Sequence, residues 1–274
     1  MRVEDLDTPR VKPGAIEESI EILGWLGMDW DAGPTVQSED LEPYREAMRT
    51  LAGRGLVYPC VLTRGQIEAS ASAPQEGVGE ARFAPELRPE GVPRVFGDED
   101  TNWRVMTDDG EVVFEDGFCG RVSVHPGREV GDFVVWTRRG QPAYQLAVVV
   151  DDFRQGVTQV VRGDDLIPSA GRQALLYEWL GYGAMPGQTH LPLVRGADGR
   201  RLAKRHGDTR ISSYREGGVS RERVVGLVAY WCGMIEKRAE MSASAFCSGL
   251  EVDRIPKCDI VFSREDERWL RDGT

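Results

Sequence analysis

Segments with helical period alternate with segments of strand period along this chain, and that alternation most narrows the folds open to it. Residues 13–27 place Ile16, Ile20, Leu23 and Leu26 on one helical stripe, with Pro13 suited to a first turn and Gly27 to the end. A second helix is expected from Ser38 as its cap, through Leu41, Tyr44, Met48 and Leu51, ending near Gly53 and Gly55. Residues 65–95 are rich in Ala, Ser, Pro, Gly and Glu, lack periodicity, and read as a loop or loosely packed insert. Beyond them, Trp103 to Phe114 alternates around Asp109-Gly110, a hairpin signal. Phe133–Trp136 and Tyr144–Val150 flank Arg139-Gly140 in the same way, and the continuous run Val148-Val149-Val150 suits a strand buried on both faces. Val157–Val161 is a further strand candidate, Arg172–Leu180 a helix stopped by Gly181, and 209–234 helical again. The tail carries no readable period, and there is no internal repeat. Helices and strands in this order, with a β-rich insertion between them, imply an α/β fold.

A chain of 274 residues, 41% of them hydrophobic, can bury a substantial core. No apolar run approaches the roughly 20 residues that cross a bilayer, and the N-terminus lacks a signal-peptide pattern, so no membrane partner and a cytoplasmic location are expected. Five scattered cysteines, Cys60, Cys119, Cys232, Cys247 and Cys258, suit a reducing compartment. A net charge of -11 argues against indiscriminate nucleic-acid binding, although a local basic surface can still take RNA. Such a surface lies at 195–210, with Arg195, Arg200, Arg201, Lys204, Arg205 and Arg210. The acidic excess lies elsewhere, notably in 96–116.

Within that basic stretch, Asp198 to His206 follows the apolar run His190-Leu191-Pro192-Leu193-Val194. The chain has only four lysines, so Lys204 among arginines is distinctive. A compact ammonium on a flexible stem can follow a phosphate as it changes position, which a planar guanidinium does less well. A charge run taken alone reads as readily as a solvated basic hairpin. His125, His190 and His206 are too dispersed for a metal cluster, and His190 before Leu-Pro-Leu reads as structural. No Ser/His/Asp arrangement is legible. The paired acids Asp151-Asp152 and Asp164-Asp165 read as shaping turns and bonds.

The stretch around Lys204 resembles the lysine-rich nucleotide loop of class I aminoacyl-tRNA synthetases in their glutamyl form. Arg2 to Arg10, Leu26 to Pro34 with Gln37-Ser38-Glu39, Ala143 to Asp152, and Val161 to Leu166 match further motifs of that family in order, so that the resemblance covers 1–64 and 130–217. It implies a class I synthetase-type doubly wound parallel sheet, N-terminally truncated, with a β-rich insertion. It further implies a nucleotide-binding domain formed by 1–64 and 131–217, an acceptor-binding-like insertion over 65–130, and a C-terminal helical segment over 218–274. By the same resemblance Lys204 is the catalytic residue that holds the ATP phosphates, with Ala203 replacing a loop serine and Arg201 a first lysine. Arg162 binds the substrate carboxylate, Glu4 faces the α-ammonium of glutamate, and Tyr144 lines the pocket. Gln145 stands where the family often has asparagine, and the extra methylene is expected to reshape that pocket.

Two family features are missing from these residues. The strand with the first class I signature is absent, and its loss is expected to expose two strand edges and leave an apolar void. Of the zinc motif, Tyr58-Pro59-Cys60-Val61-Leu62 retains a single thiol, and no zinc is expected. Only 70 residues follow Lys204, too few for the large helical anticodon-binding region of full-length relatives. The better match is the short branch of the family that works on queuosine. The resemblance therefore implies a ligase-type enzyme, a monomer, that activates L-glutamate with ATP and magnesium and transfers it to queuosine in the tRNA(Asp) anticodon loop. A truncated synthetase core charging tRNA(Glu), or a non-catalytic remnant that binds glutamate or RNA, stay as alternatives.

Overall fold

The structure is a computed structural model that describes residues 1–6, 11–63, 65–67, 82–97, 99–200, 202 and 210–273. The chain forms two compact units. One comprises Glu4–Leu6 and Val36–His190, the other Met1–Val3, Asp7–Thr35 and Leu191–Thr274.

The first unit contains two four-stranded sheets. In one, Val57–Cys60, Asn102–Val105, Phe133–Thr137 and Gln141–Pro142 lie side by side, each neighbouring pair antiparallel. In the other the order is Gly120–Val124, Val112–Asp116, Gly187–Leu191 and Gln159–Gly163. Here Val112–Asp116 pairs antiparallel with Gly120–Val124 and parallel with Gly187–Leu191, with Asp116 opposite Gln188. Three helices, Glu42–Gly53, Tyr144–Arg154 and Ile167–Leu180, complete the main core. Met48, Leu51, Leu146, Val149 and Leu176 pack there with Trp103, Val105, Phe133 and Trp136. Each fully buried side chain of this kind contributes about 1.5–3 kcal/mol relative to exposure. Close approach also matters. A Cβ on Gly171, in the helix Ile167–Leu180, would strike the Val124 side chain, so only glycine lets that helix sit against the strand.

Several sequence expectations hold in place and type. The first helix runs Ala15–Leu26 and ends at Gly27 in the left-handed region, and the helix expected from Arg172 starts earlier, at Ile167, and ends the same way at Gly181. The expected strand near 157–161 is Gln159–Gly163. Gly140 closes a hairpin from Phe133–Thr137 to the short strand Gln141–Pro142.

Other expectations need correction. The apolar run Tyr144–Val150 is not a strand but the start of the helix Tyr144–Arg154, buried on nearly all sides from Gln145 to Asp151. A continuous apolar run serves an enclosed helix as well as an enclosed strand, and here packing overrides the β preference of three valines. Residues 103–114 are not a hairpin either. Asn102–Val105 and Val112–Asp116 belong to different sheets, although the Gly110 amide does bond the Asp108 carboxylate at 2.9 Å. The tight hairpin lies one turn later, between Val112–Asp116 and Gly120–Val124. Ser38 does not cap the second helix. It sits in the turn Gln37–Glu39, its amide donates to Asp5 Oδ1 at 3.0 Å, and the helix starts at Glu42 with Pro43 in its first turn. Of the insert 65–95, residues 68–81 lie outside the described residues.

In the second unit, the segment expected to be helical over 209–234 holds two helices in its described residues. Ile211–Glu216 ends at Gly217-Gly218, and Ser220 caps Arg221–Trp231 by accepting the Arg223 amide at 3.2 Å. The tail does contain order. It forms the helices Ala243–Gly249 and Arg264–Asp272, the latter opened by a capping box of Ser263 and Asp266. Tyr214, Val219, Leu227 and Leu270 make this unit's core. Val194–Arg195 pairs parallel with Ile260–Val261, and Asp259 accepts both the Leu193 amide and the Arg195 guanidinium. Among the described residues no helix is long and apolar enough to cross a membrane.

Candidate active site

Strand alternation sets up the site. Along Val112–Asp116, Val112, Phe114 and Asp116 turn inward while Val113 and Glu115 face solvent. Along Gln159–Gly163, Val160 and Arg162 turn inward by the same period. Between these strands lies Gly187–Leu191, with Gln188, Thr189 and His190 buried. Three neighbouring strands thus bring Asp116, His190, Gln188 and Arg162 together.

The contacts form a chain. Arg162 donates from Nε to His190 Nε2 at 3.1 Å and from one terminal nitrogen to Gln188 Oε1 at 3.1 Å. Gln188 donates its own amide to the Pro186 carbonyl at 2.9 Å, which turns its oxygen towards Arg162. His190, fully buried, lies with Nδ1 at 2.7 Å from Asp116 Oδ2. The other oxygen of Asp116 accepts the amides of Phe118, Cys119 and His190 at 2.9, 2.8 and 3.1 Å. Burial alone would push the Asp116 carboxyl up. The Cys119 amide, the His190 ring and the Phe118 and His190 amides outweigh it and hold the group below the ordinary carboxylate range. Gly117 makes the approach possible, since its amide bonds the Gln188 carbonyl at 2.8 Å and a Cβ there would crowd Thr189.

Hydrogen-bond roles follow from donor chemistry. Arginine Nε always carries a proton, so His190 Nε2 must offer its lone pair. The ring proton therefore sits on Nδ1 and is given to Asp116. An imidazolium would oppose a donor with a donor and place two cations in contact.

The sequence-derived site residues are distributed as follows. Arg162 sits in the network just described. Tyr144 is the first residue of its helix and remains 45% exposed, open to a ligand. Glu4 is exposed and belongs to the same compact unit. Lys204, with Arg201 and Ala203, lies outside the described residues. Gln145, expected to reshape the pocket, is buried. Its buried amide donates to Ser169 at 3.0 Å and accepts from Gln173 at 2.9 Å, tying two helices together. Asp151 does shape bonds, accepting from Gln37 and Tyr44 at 2.8 Å each. Cys60 is buried against Tyr58, Ile67 and Phe83, and among the described residues no cluster of three or more metal-ligating side chains occurs. His190 and Asp116 were not singled out as site residues by sequence. They lie 74 residues apart, and no spacing rule joins them.

The chain as a whole is similar to known proteins. The profile of the family described as tRNA synthetases class I (E and Q), catalytic domain, matches residues 1–264. The Glutamyl-Q tRNA(Asp) synthetase of Rhodopirellula baltica is 45% identical over 258 residues, spanning 85% of this chain and 74% of that protein. That of Symbiobacterium thermophilum is 40% identical, spanning 100% of this chain and 88% of its own length. Among solved structures, the glutamate tRNA ligase of Elizabethkingia meningosepticum, in complex with its amino acid, superposes with a TM-score of 0.77 at 25% identity over 98% of this chain. The glutamate-tRNA synthetase of Elizabethkingia anophelis gives 0.78, also at 25% identity over 98% of this chain. The chain spans 61% and 62% of those two solved chains. The fold is thus that of glutamyl-tRNA synthetase catalytic cores, mixed α/β with parallel strand pairs, and the chain belongs to the class I aminoacyl-tRNA synthetase family of the E and Q type.

Proposed function

We propose that this chain activates L-glutamate with ATP and transfers it to queuosine in the anticodon loop of tRNA(Asp). The observation that carries the reading is the guanidinium of Arg162. It is oriented by two neutral acceptors, and among the described residues no carboxylate pairs with it. Such a group suits a substrate carboxylate, which it can take through two parallel bonds. The names of relatives 38–45% identical, each a Glutamyl-Q tRNA(Asp) synthetase, support the finer choice of acceptor. A second reading, glutamate transfer to tRNA(Glu), draws on the Glutamate–tRNA ligase of Geobacter sulfurreducens, 35% identical over 275 residues.

The chemistry takes two displacements. A glutamate carboxylate oxygen attacks the α-phosphorus of ATP, and pyrophosphate leaves. A nucleoside hydroxyl then attacks the mixed anhydride at its carbonyl carbon, and AMP leaves. Arg162 commits the side-chain carboxylate of glutamate, which leaves the α-carboxylate to react. Glu4 faces the α-ammonium, because a buried substrate charge needs a partner. Tyr144 closes the pocket beside them, and Lys204 neutralises charge on the phosphates as it builds up. Magnesium enters with ATP, held mainly through phosphate oxygens, as is usual for this ion. In this reading 1–64 and 131–217 form the catalytic domain, 65–130 an acceptor-binding-like insertion and 218–274 a C-terminal segment.

Transfer of labelled glutamate is the test. Labelling of tRNA(Asp) that carries queuosine, and not of the same tRNA without it, is expected. Labelling of tRNA(Glu) instead would overturn the assignment of the acceptor, and no ATP–pyrophosphate exchange with glutamate would overturn the activation step.

A further inference from the structure

We propose that Asp116 and His190 are positioning residues for glutamate recognition. Asp116 holds the His190 imidazole in one tautomer, and that tautomer fixes which edge of Arg162 faces the substrate. The inference rests on the reading of Arg162 as the carboxylate-binding residue and extends it to two residues that touch no substrate.

A guanidinium has five N–H groups. His190 Nε2 takes the one on Nε, and Gln188 Oε1 takes one on a terminal nitrogen. Among the described residues the other three meet no acceptor, and they lie on the two terminal nitrogens. A carboxylate can meet both of these at once. The edge that includes Nε is closed.

The interposed imidazole matters for charge as well. Were Asp116 in direct contact with Arg162, it would neutralise the guanidinium and compete with the substrate carboxylate. Through a neutral ring it supplies direction without supplying an ion pair. Among the described residues Arg162 is therefore left a cation answered by two neutral acceptors, His190 Nε2 and Gln188 Oε1. Such a group favours a carboxylate over the neutral amide of glutamine.

Asp116→Asn probes the arrangement with little change of shape. One Asp116 oxygen accepts three backbone amides from Phe118, Cys119 and His190. The oxygen of asparagine must keep that place, so its NH2 replaces the oxygen that faces His190 Nδ1. A donor there drives the ring proton to Nε2, against the Nε–H of Arg162. The substitution keeps the turn and reverses the imidazole, following the wrong-tautomer logic known for the aspartate of a catalytic triad. His190→Gln is the companion. Its side-chain oxygen can reach the position of Nε2 and go on accepting from Arg162, whereas His190→Leu cannot.

The experiment uses the full chain. Histidine tautomers are read by nitrogen NMR, with the His190 signals assigned by their loss in His190→Gln. Glutamate affinity is read by calorimetry, and folding by thermal unfolding. Wild type is expected to show His190 protonated on Nδ1. Asp116→Asn is expected to move that proton to Nε2 and weaken glutamate binding by at least about tenfold, as for loss of a charge-assisted hydrogen bond. ATP binding should hold within about twofold, because the chain touches only the carboxylate grip. His190→Leu should lose glutamate as Asp116→Asn does, and His190→Gln should recover most of the affinity. A moved proton with unchanged glutamate affinity would overturn the proposal, as would His190 protonated on Nε2 in wild type. Should Asp116→Asn not fold, equal glutamate affinity in His190→Gln and His190→Leu would overturn it. Failure of wild type to bind glutamate at all would sink the reading of Arg162 itself, while the wild-type tautomer would still decide how Asp116 and His190 hold it.

Discussion

Asp116 Oδ2 and His190 Nδ1 lie 2.7 Å apart, both side chains fully buried, at the ends of parallel neighbouring strands. This contact converts the pairing of two strands into the aim of a third residue. Asp116 sets the ring, the ring sets Arg162, and the register Asp116 opposite Gln188 delivers the second acceptor to the same guanidinium. A slip of one residue in either strand would turn these side chains to the opposite face.

Arg162→Lys should keep the charge and lose the fork. An ammonium cannot accept the orientation that His190 and Gln188 impose, nor grip a carboxylate through two parallel bonds. The catalytic efficiency of glutamate-dependent ATP–pyrophosphate exchange is expected to fall about tenfold or more, chiefly through the KM for glutamate. A variant with wild-type KM would show that Arg162 does not touch the substrate.

Lys204→Ala should slow activation at saturating glutamate. Loss of one preorganised charge contact to a transition state typically costs a factor of about 10²–10³. Single-turnover formation of glutamyl-adenylate is the measurement, and an unchanged rate would move the phosphate contact to another residue.

Acid should weaken the first unit partly through Asp116. Its folded carboxyl is held low by the Cys119 amide, His190 and the neighbouring amides, against the opposing push of burial. A depressed carboxyl stabilises the fold fully above its unfolded value of about 3.9, and that contribution is lost as pH falls from there through the folded value. Urea unfolding of wild type and Asp116→Asn between about pH 2.5 and pH 6 should therefore converge towards the acid end. Parallel curves across that window would contradict the assignment.

Asp132 should be the costliest single polar side chain to remove from the sheet that starts at Val57–Cys60. Its carboxylate accepts from Tyr58 at 2.6 Å, from Arg88 twice at 2.7 Å and from the Thr107 amide at 2.8 Å, with almost no exposure. Asp132→Ala leaves a cation and a buried hydroxyl without their acceptor, which is expected to cost about 3–5 kcal/mol. The same hydroxyl makes the loss visible spectroscopically. Burial, with the Asp132 bond added, pushes Tyr58 well above the ordinary tyrosine range. Alkaline titration of tyrosine absorbance should therefore gain an earlier-titrating group in Asp132→Ala, and a thermal midpoint equal to wild type would refute the expected cost.

Local rules were enough for much of the chain. The stripe Ile16, Ile20, Leu23 and Leu26 with Gly27, and the helix that stops at Gly181, were legible because spacing and a left-handed glycine act within a few residues. So was Gln159–Gly163 as a strand, and through the ordered motifs the family and the candidate roles of Arg162, Tyr144, Glu4 and Lys204. The structure had to decide what local rules leave degenerate. The valine run of Tyr144–Arg154 fits any enclosed element, and only the neighbours that enclose it make it a helix. Trp103–Val105 and Val112–Phe114 alternate alike, yet each pairs with a distant strand rather than with the other. Asp116 sits in an acidic stretch and His190 before Leu-Pro-Leu, and nothing in 74 residues of separation links them. Their contact is a product of strand order, because side chains far apart along a chain meet only where backbone pairing sets two strands side by side.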